Sequence, residues 1–167
     1  MKTLYIHRHA KSDWDSGAKN DHDRPLNSRG ERDAPYMASF CKSENIALDL
    51  LLSSTANRAQ STMRFYQKAL EFPESKVVLD QRIYHSDVKT MMTVLSELND
   101  DIENVMIFGH NPTFTDLCHH LDGGFRDYLV TCSRVKIDLE IDAWKEIYGD
   151  CGIVMEHIYP KKIQERN

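Results

Sequence analysis

The chain has 167 residues, of which 41% are hydrophobic and 28% charged, a composition that excludes intrinsic disorder and allows a substantial core. Its formal net charge of −5 argues against non-specific binding to nucleic acid or to an anionic membrane surface. No apolar run reaches the roughly 20 residues needed to cross a bilayer, and the first residues lead directly into a predicted strand. We therefore expect a single cytoplasmic domain over residues 1–167.

The four cysteines are spaced without any C-x-x-C pair: Cys41, Cys118, Cys132 and Cys151. In a chain without a secretion signal, reduced thiols are expected rather than disulfide bridges. Cys41 and Cys118 fall on apolar faces of predicted helices, where cysteine packs as a small hydrophobic residue. A metal-binding or nucleophilic role for the cysteines is the less favoured interpretation.

The first predicted element is a short buried strand at residues 3–6, an apolar run with β-branched and aromatic members. It stops at three consecutive basic residues, His7, Arg8 and His9. Because ligands of open α/β sheets collect beyond the carboxyl ends of the strands, this strand end predicts an anion site, and a phosphate site in particular. The polar segment 11–26 has no periodicity and predicts a long loop of the kind that often carries function.

The next two elements are a helix and a buried strand. Capping-box spacing that starts at Ser28 predicts a helix over residues 28–42, in which Pro35 predicts either a kink or a later start. Residues 48–53 form a near-continuous apolar run, which is typical of a parallel strand covered on both faces.

Two more helices flank a short third strand. Ser54-Thr55 is expected to cap a helix over residues 56–70, whose apolar side chains recur at helical spacing. A strand is predicted at residues 77–79. Asp87 is expected to cap a helix whose apolar positions between residues 88 and 98 share one face.

A fourth strand and another helix follow. Residues 104–109 are predicted as a strand that ends on His110. Pro112 suits the first turn of a helix, and Gly123-Gly124 is expected to stop that helix.

The remaining segment predicts a hairpin and a tail. Apolar and charged residues alternate over residues 135–141, which indicates a strand with one wet face that pairs with residues 152–159 as an antiparallel edge hairpin. Residues 160–167 are expected to form a charged, partly ordered tail. Strands that alternate with helices and end in a hairpin indicate a three-layer α/β/α sandwich with a mostly parallel sheet.

Basic residues stand just beyond three predicted strands: Arg8 and His9 after the first, Arg58 in the helix after the second, and His110 after the fourth. If these strands are parallel neighbours, the four side chains converge at one edge of the sheet, beside two helix N-termini. Two guanidinium groups and two imidazoles around one point suit a phosphoryl group, whose oxygens need donors on every side. The cations would also lower the pKa of His9 and keep it unprotonated.

The order and spacing of these motifs resemble the histidine phosphatase superfamily, and within it the SixA-type phosphohistidine phosphatases. The matching segments cover nearly the whole chain: HRHAKSDW (7–14), RPLNSRGERDA (24–34), SSTANRAQST (53–62), FGHNP (108–112), and an ending with Trp144 and YPK (159–161). Three motifs in order at three strand ends are a far more specific signal than one Arg-His pair. The resemblance implies the phosphoglycerate mutase-like α/β fold.

The resemblance also implies roles for individual residues. His9 matches the nucleophile that receives the phosphoryl group as a phosphohistidine intermediate, and Arg8, Arg58 and His110 match the residues that hold the phosphoryl oxygens. Ser12 is in register with a phosphate-contacting serine of the mutase-like branch. No cofactor and no metal ion are implied, because arginine and histidine supply the positive charge. The implied partner is a phosphorylated protein or a small phosphorylated substrate, and not a nucleic acid or a membrane.

Three positions depart from the family pattern. Ala10 replaces a common glycine. Asp15 stands where the mutase-like branch has a phosphate-contacting asparagine, so Asp15 is expected to point away or to act as a proton donor. Residues 81–85 (QRIYH) lack the carboxylate that mutases and broad small-molecule phosphatases place after the third strand as general acid. An alkyl phosphate needs that proton, whereas imidazole leaves a phosphoramidate neutral when it arrives protonated.

Other polar residues have less specific interpretations. His7 is expected to contact the far face of the sheet. Arg24 is expected either to reach the pocket rim or to tie down the long loop. Tyr84 and His85 are expected to line the pocket mouth or to have a structural role.

The favoured function is a metal-independent phosphatase that acts through phosphorylated His9 on phosphohistidine or on another phosphorylated protein. The alternatives are a small-molecule phosphomonoesterase or mutase, and a catalytically weak phosphate-binding module. The sequence leaves open the physiological substrate, the oligomeric state and the identity of any general acid, for which Asp13, Asp15 and His85 are candidates.

Overall fold

The computed structural model describes residues 1–166 and contains six strands and five helices within that range. The strands are Lys2–Arg8 (β1), Leu50–Ser53 (β2), Val77–Leu79 (β3), Asn104–Gly109 (β4), Arg134–Leu139 (β5) and Gly152–Ile158 (β6). The helices are Ser28–Ser43 (α1), Asn57–Ala69 (α2), Val88–Ser96 (α3), Thr113–Leu121 (α4) and Pro160–Gln164 (α5).

The strands form one mixed sheet in the order β3-β2-β4-β1-β5-β6. The first four strands are parallel, while β5 runs antiparallel to β1 and to β6. One apolar layer contains Ile6, Leu117 and Trp144, and a second contains Tyr5, Met37 and Met63. Because Tyr5 and Ile6 are adjacent in β1, these layers lie on opposite faces of the sheet. The predicted α/β class, the mostly parallel sheet and the edge hairpin are confirmed.

The register of the central strands brings their carboxyl ends level with one another. Arg8 of β1 lies opposite Gly109 of β4, and Ser53 of β2 lies opposite Phe108 of β4. The backbone N–H of His9 then donates to the carbonyl of Gly109 at 3.0 Å. A Cβ atom on Gly109 would lie 2.5 Å from Cζ of Phe114 in α4, so only glycine allows α4 to begin this close to the sheet.

Helix α1 begins at Ser28 as predicted but has a different cap, and α2 begins one residue later than predicted. Asn27, rather than Ser28, caps α1, because its side chain accepts from the N–H of Gly30 at 2.9 Å. Pro35 lies inside α1 without shortening it, so the later start is not observed. Helix α2 begins after Ala56 with no side-chain cap, and the Ser54 hydroxyl accepts from the N–H of Ala56, one residue before the helix.

The predicted tail is in part a helix. Pro160 occupies the first turn of α5, where its missing N–H costs nothing, and the Ile163 side chain is buried against the sheet layer that contains Tyr5. Asn167 lies outside the described residues, and a single domain over residues 1–167 stays a prediction. All four cysteines are free and buried, as expected. Between residues 1 and 166, no helix combines the length and apolarity that a membrane span requires.

Candidate active site

A cavity of about 420 Å³ lies beyond the carboxyl ends of the central strands. Its wall includes Arg8, His9, Ser12, Arg58 and His110, so the structure brings together all five predicted site residues. The long loop after β1, the segment after β3 and the start of α4 complete the wall. The catalytic roles of these five residues stay predictions.

His9 presents one ring nitrogen to the cavity and fixes the other. Its Nδ1 lies 2.7 Å from the carbonyl oxygen of Ala10. Since a carbonyl oxygen can only accept, Nδ1 carries the proton and the lone pair of the neutral ring resides on Nε2. Burial, with the charges of Arg58 and Arg8, lowers the pKa of His9 to about 3. The imidazole is therefore neutral and nucleophilic at neutral pH.

His110 lies beside His9, with the two ring centroids 5.3 Å apart. Its Nε2 is 2.8 Å from the hydroxyl oxygen of Ser54. Burial, with the neighbouring His9 and Arg58, lowers the pKa of His110 to about 2. When the Ser54 hydroxyl donates to Nε2, the proton of the neutral ring is on Nδ1. Nδ1 can then donate a hydrogen bond to an anion.

Arg8 is oriented by a backbone carbonyl from the loop before β5. Its Nη1 donates to the Leu129 carbonyl at 2.8 Å, and the Asn111 side chain donates to the same oxygen at 2.7 Å. The Asn111 amide oxygen in turn accepts from the Thr115 hydroxyl at 3.0 Å. This chain of hydrogen bonds holds one end of the Arg8 guanidinium, while burial lowers the pKa of Arg8.

Arg58 is held by a carboxylate from the long loop. Its Nη1 donates to the backbone oxygen of Asp21 at 2.8 Å, and its Nη2 donates to Oδ2 of Asp21 at 3.0 Å. A cation in the first turn of a helix is disfavoured by the helix dipole, and Asp21 supplies a compensating negative charge. Asp21 also accepts from the Tyr84 hydroxyl at 2.8 Å and from Nε of Arg24 at 3.0 Å.

Arg24 fulfils both of its expected roles. It lines the cavity, and its Nη1 donates to the Ser12 hydroxyl at 2.9 Å and to the Asp13 carbonyl at 3.3 Å. Its guanidinium also stacks on the ring of Trp14, with 3.6 Å between the guanidinium carbon and the ring centroid. Ser12 is therefore bound to a cation at the cavity wall.

Several nitrogens around the cavity have no hydrogen-bond partner. Within residues 1–166, Nε of Arg8, Nε of Arg58 and Nδ1 of His110 are buried and unpaired. A buried donor without a partner costs about 1–3 kcal/mol. Because Nε of Arg134, on the His7 side of the sheet, is also buried and unpaired, these atoms indicate a ligand site only together with the cavity that their side chains line. Oxygen-rich anions fit these donors.

The general-acid candidates separate in the structure. His85 lines the cavity, whereas Asp13 and Asp15 do not. Asp15 is exposed, and its N–H donates to the Asp13 carboxylate at 2.8 Å. Tyr84 lines the cavity as expected, and no group of three or more His, Cys, Asp or Glu residues in the described range could hold a metal ion.

Sequence reasoning missed several polar residues of the wall, among them Asp21 and Asn111. The Asp21–Arg24 spacing allows an ion pair between them, but a loop without periodicity gives no indication that Asp21 faces the cavity. Burial would raise the pKa of Asp21, yet hydrogen bonds from Tyr84 and Arg24 and the charge of Arg58 outweigh it and hold that pKa well below its usual range. Asp21 is therefore a carboxylate, not a proton donor, at neutral pH.

Comparisons with known proteins agree with this geometry. Residues 4–87 match the family model described as histidine phosphatase superfamily (branch 1). An uncharacterised chloroplastic protein of Arabidopsis thaliana is 29% identical over 159 residues, which cover 90% of this chain and 72% of that protein. The phosphohistidine phosphatase SixA of Escherichia coli K12 is 27% identical over 133 residues, which cover 79% of this chain and 81% of that protein.

Solved structures show the same fold. A protein histidine phosphatase SixA in complex with tungstate superposes with a TM-score of 0.82 at 22% identity, covering 96% of this chain and 99% of that one. A mycobacterial glucosyl-3-phosphoglycerate phosphatase superposes with a TM-score of 0.68 at 13% identity, covering 92% and 97% of the two chains. At these identities the likeness concerns the fold alone.

Proposed function

Because the chain belongs to the histidine phosphatase superfamily, we propose that it is a metal-independent phosphatase that forms a phosphohistidine intermediate on His9 and acts on phosphohistidine or on another phosphorylated protein. One observation carries the proposal: the side-chain donors of Arg8, Arg58 and His110 line the same cavity as His9, whose Nδ1 is paired with the Ala10 carbonyl so that the lone pair resides on Nε2. A phosphoryl group would pair with these donors, and guanidinium groups bind phosphate through two N–H bonds at once.

The chemistry assigns each group a separate task. Nε2 of His9 attacks phosphorus, while Nδ1 keeps its proton on the Ala10 carbonyl and fixes the direction of the ring. Arg8, Arg58 and His110 stabilise the charge that spreads over the three equatorial oxygens in a loose transition state. Water then attacks the phosphorylated His9 and releases inorganic phosphate. Since side chains supply the positive charge, no metal ion is needed for these steps.

The cavity mouth supports a protein substrate. Trp14 and Tyr128 are exposed large aromatic residues, Trp14 lies on the cavity wall, and the Arg8 guanidinium carbon is 5.8 Å from the Tyr128 ring centroid. Exposed aromatic side chains beside a polar pocket are typical of protein-contacting surfaces. The ionised Asp21 cannot protonate an alkoxide. A leaving group that departs without taking up a proton, such as the neutral imidazole released from protonated phosphohistidine, therefore suits the site.

A small-molecule phosphatase is the second candidate. A volume of about 420 Å³ is sufficient for a small ligand, and one structural neighbour is a glucosyl-3-phosphoglycerate phosphatase. This alternative predicts efficient cleavage of sugar phosphates.

The experiment compares substrates in the presence of EDTA. A small protein phosphorylated on histidine by phosphoramidate, a set of hexose phosphates and p-nitrophenyl phosphate are each incubated with the enzyme. The proposal predicts a higher kcat/KM on the phosphohistidine protein than on any hexose phosphate. Faster cleavage of a hexose phosphate overturns the substrate class. No turnover of any of the three leaves the phosphate-binding module as the function.

A further inference from the structure

Asp21 contributes a carboxylate to the wall of a cavity that otherwise collects cations. It accepts hydrogen bonds from Arg24, Arg58 and Tyr84, all within 3.0 Å. A carboxylate at this place weakens the attraction of the pocket for a phosphate dianion. Asp21 offsets this cost by holding Arg58, and it also offers an acceptor to the part of the substrate that lies beyond the phosphoryl group.

The position of Asp21 places it toward the departing group. His9 lies in the interior of the cavity and is only 8% exposed, whereas the Asp21 side chain is 39% exposed. Since nucleophile and leaving group lie roughly in line across phosphorus, attack from His9 sends the leaving group toward the open side of the cavity. Asp21 lines the same cavity and is the more exposed of the two side chains, as is expected of a group that meets the leaving group.

One oxygen of Asp21 still has room for a donor. Each carboxylate oxygen accepts about two hydrogen bonds. Oδ2 already accepts from Arg58 and Tyr84, while within the described residues Oδ1 accepts from the Arg24 side chain alone. A substrate N–H group at the cavity mouth would find an anionic acceptor there.

We propose that Asp21 is a specificity-determining residue that accepts a hydrogen bond from the N–H of a phosphorylated, protonated imidazole and so favours phosphoramidates over oxygen esters. The inference rests on the proposed function and deepens it, because it names the residue that recognises the leaving group. An alkoxide or phenolate leaving group offers no N–H to this carboxylate and meets its negative charge instead.

The transfer step is balanced without any external acid. The lone pair of His9 Nε2 forms the new N–P bond, and the P–N bond of the substrate breaks with its electron pair returning to the substrate ring. That ring leaves as neutral imidazole and keeps the proton on its other nitrogen, hydrogen-bonded to Asp21. His9 becomes the phosphorylated imidazolium, with its Nδ1 proton on the Ala10 carbonyl. The substrate ring, which donates its N–H to Asp21, and the ring of His9, which donates its N–H to the Ala10 carbonyl, thus play equivalent parts in the transfer.

The test compares leaving groups in the wild-type protein and in Asp21→Asn. Asparagine keeps the shape and one acceptor oxygen but removes the charge. The probes are N-phosphoimidazole and p-nitrophenyl phosphate, and the measured quantity is the ratio of their kcat/KM values. A neutral hydrogen bond is about half as strong as a charge-assisted one, so the ratio is expected to fall several-fold. General weakening of phosphate binding changes both values together and cancels in the ratio.

Asp23→Asn is the matched control. Asp23 lies in the same loop, is exposed and bonds to Asn20 outside the cavity wall, so the same loss of charge should leave the ratio unchanged. An equal fall in both variants, or no fall in Asp21→Asn, overturns the inference while the phosphatase function stands.

A second measurement needs no variant. 1-Phospho-3-methylimidazolium carries the same positive ring as protonated N-phosphoimidazole but has no N–H to donate. The wild-type protein is expected to cleave it at least tenfold less efficiently, after correction for the intrinsic reactivities of the two probes in water. Equal efficiency overturns the inference. Failure to cleave either probe or p-nitrophenyl phosphate overturns the proposed function together with it.

Discussion

His7 and His9 are two residues apart at the end of β1, and burial lowers the pKa of each to about 3, yet their surroundings differ. Both ring nitrogens of His7 are paired, with the Arg8 carbonyl at 2.8 Å and the Tyr66 hydroxyl at 2.7 Å, and its ring stacks on Phe108. His9 pairs Nδ1 alone within the described residues. Both ring nitrogens of His7 are thus paired within the protein, whereas Nε2 of His9 is left for a ligand.

The difference indicates that residues around His7 contribute to stability, whereas residues around His9 contribute to function. A paired buried hydrogen bond contributes about 1 kcal/mol to stability, and an unpaired buried group costs about 1–3 kcal/mol. Changes on the His7 side should therefore alter the free energy of unfolding. Changes on the cavity side should alter turnover and anion binding. Four substitutions test this division.

His9→Asn should have the largest effect. Without the imidazole nucleophile, kcat/KM for p-nitrophenyl phosphate is expected to fall by at least about a thousandfold, while the free energy of unfolding changes by less than about 1 kcal/mol. Steady-state kinetics and urea denaturation measure the two quantities. His120→Asn, on the exposed side of α4, is the control and should keep both values. Retained turnover in His9→Asn would contradict the assignment of the nucleophile.

Arg58→Met tests the unpaired donors directly. Tungstate at one hundred times its Kd should stabilise the wild-type protein by about 2.7 kcal/mol, which corresponds to a rise in Tm of roughly 5–10 °C for a chain of this size. At the same tungstate concentration Arg58→Met should show little of that shift. Arg64→Met removes an exposed arginine from the same helix and should keep it. Equal shifts in the two variants would exclude Arg58 from the anion site.

His7→Leu should lower stability and change its pH dependence. At pH 7 the buried Tyr66 hydroxyl loses its acceptor, which costs about 1–3 kcal/mol. The pKa of His7 is about 3 in the folded protein against 6.5 ordinarily, so below pH 6.5 the unfolded chain binds a proton that the folded protein does not. The wild-type protein therefore loses stability as the pH falls from 6.5 toward 3.

The variant lacks that proton uptake. Over the same pH range its free energy of unfolding should therefore fall less steeply than that of the wild-type protein. The two slopes should differ by up to about 1.4 kcal/mol per pH unit. Chemical denaturation at several pH values gives both slopes. Parallel curves for the two proteins would mean that His7 is not kept neutral by burial.

Tyr66→Phe should have the smallest effect. It leaves Nε2 of the buried His7 without its donor but keeps the packed ring, so the expected loss of stability lies toward the lower end of about 1–3 kcal/mol. Because Tyr66 lies on the far face of the sheet, kcat/KM should stay within twofold of the wild-type value. A loss of turnover without a loss of stability would show that the two sides of the sheet are coupled.

The convergence of the cavity residues was predictable because strand ends in a parallel sheet share one edge. Three short motifs place Arg8, His9, Arg58 and His110 at such ends, and the register of β1, β2 and β4 aligns them. Strand β4 matched its predicted bounds because a continuous apolar run ends abruptly at a glycine.

Other features depend on contacts that sequence patterns do not record. Asp21 lies at the cavity because it binds three side chains that are distant in sequence: Arg24, Arg58 and Tyr84. The start of α2 was wrong by one residue because the Ser54 hydroxyl accepts from the Ala56 N–H, before the helix begins, while it also contacts His110. The helix α5 was missed because its stability comes from burial of Ile163 rather than from a long periodic pattern.

Identification of the phosphorylated residue decides whether His9 is the nucleophile. The protein is mixed with N-phosphoimidazole or p-nitrophenyl phosphate, quenched in alkali, where phosphohistidine survives, and digested for mass spectrometry. If His9 is the nucleophile, a transient phosphoryl group is found on His9 in the wild-type protein and is absent from His9→Asn. Rapid turnover with no phosphate on His9, or with phosphate on another residue, would contradict this assignment.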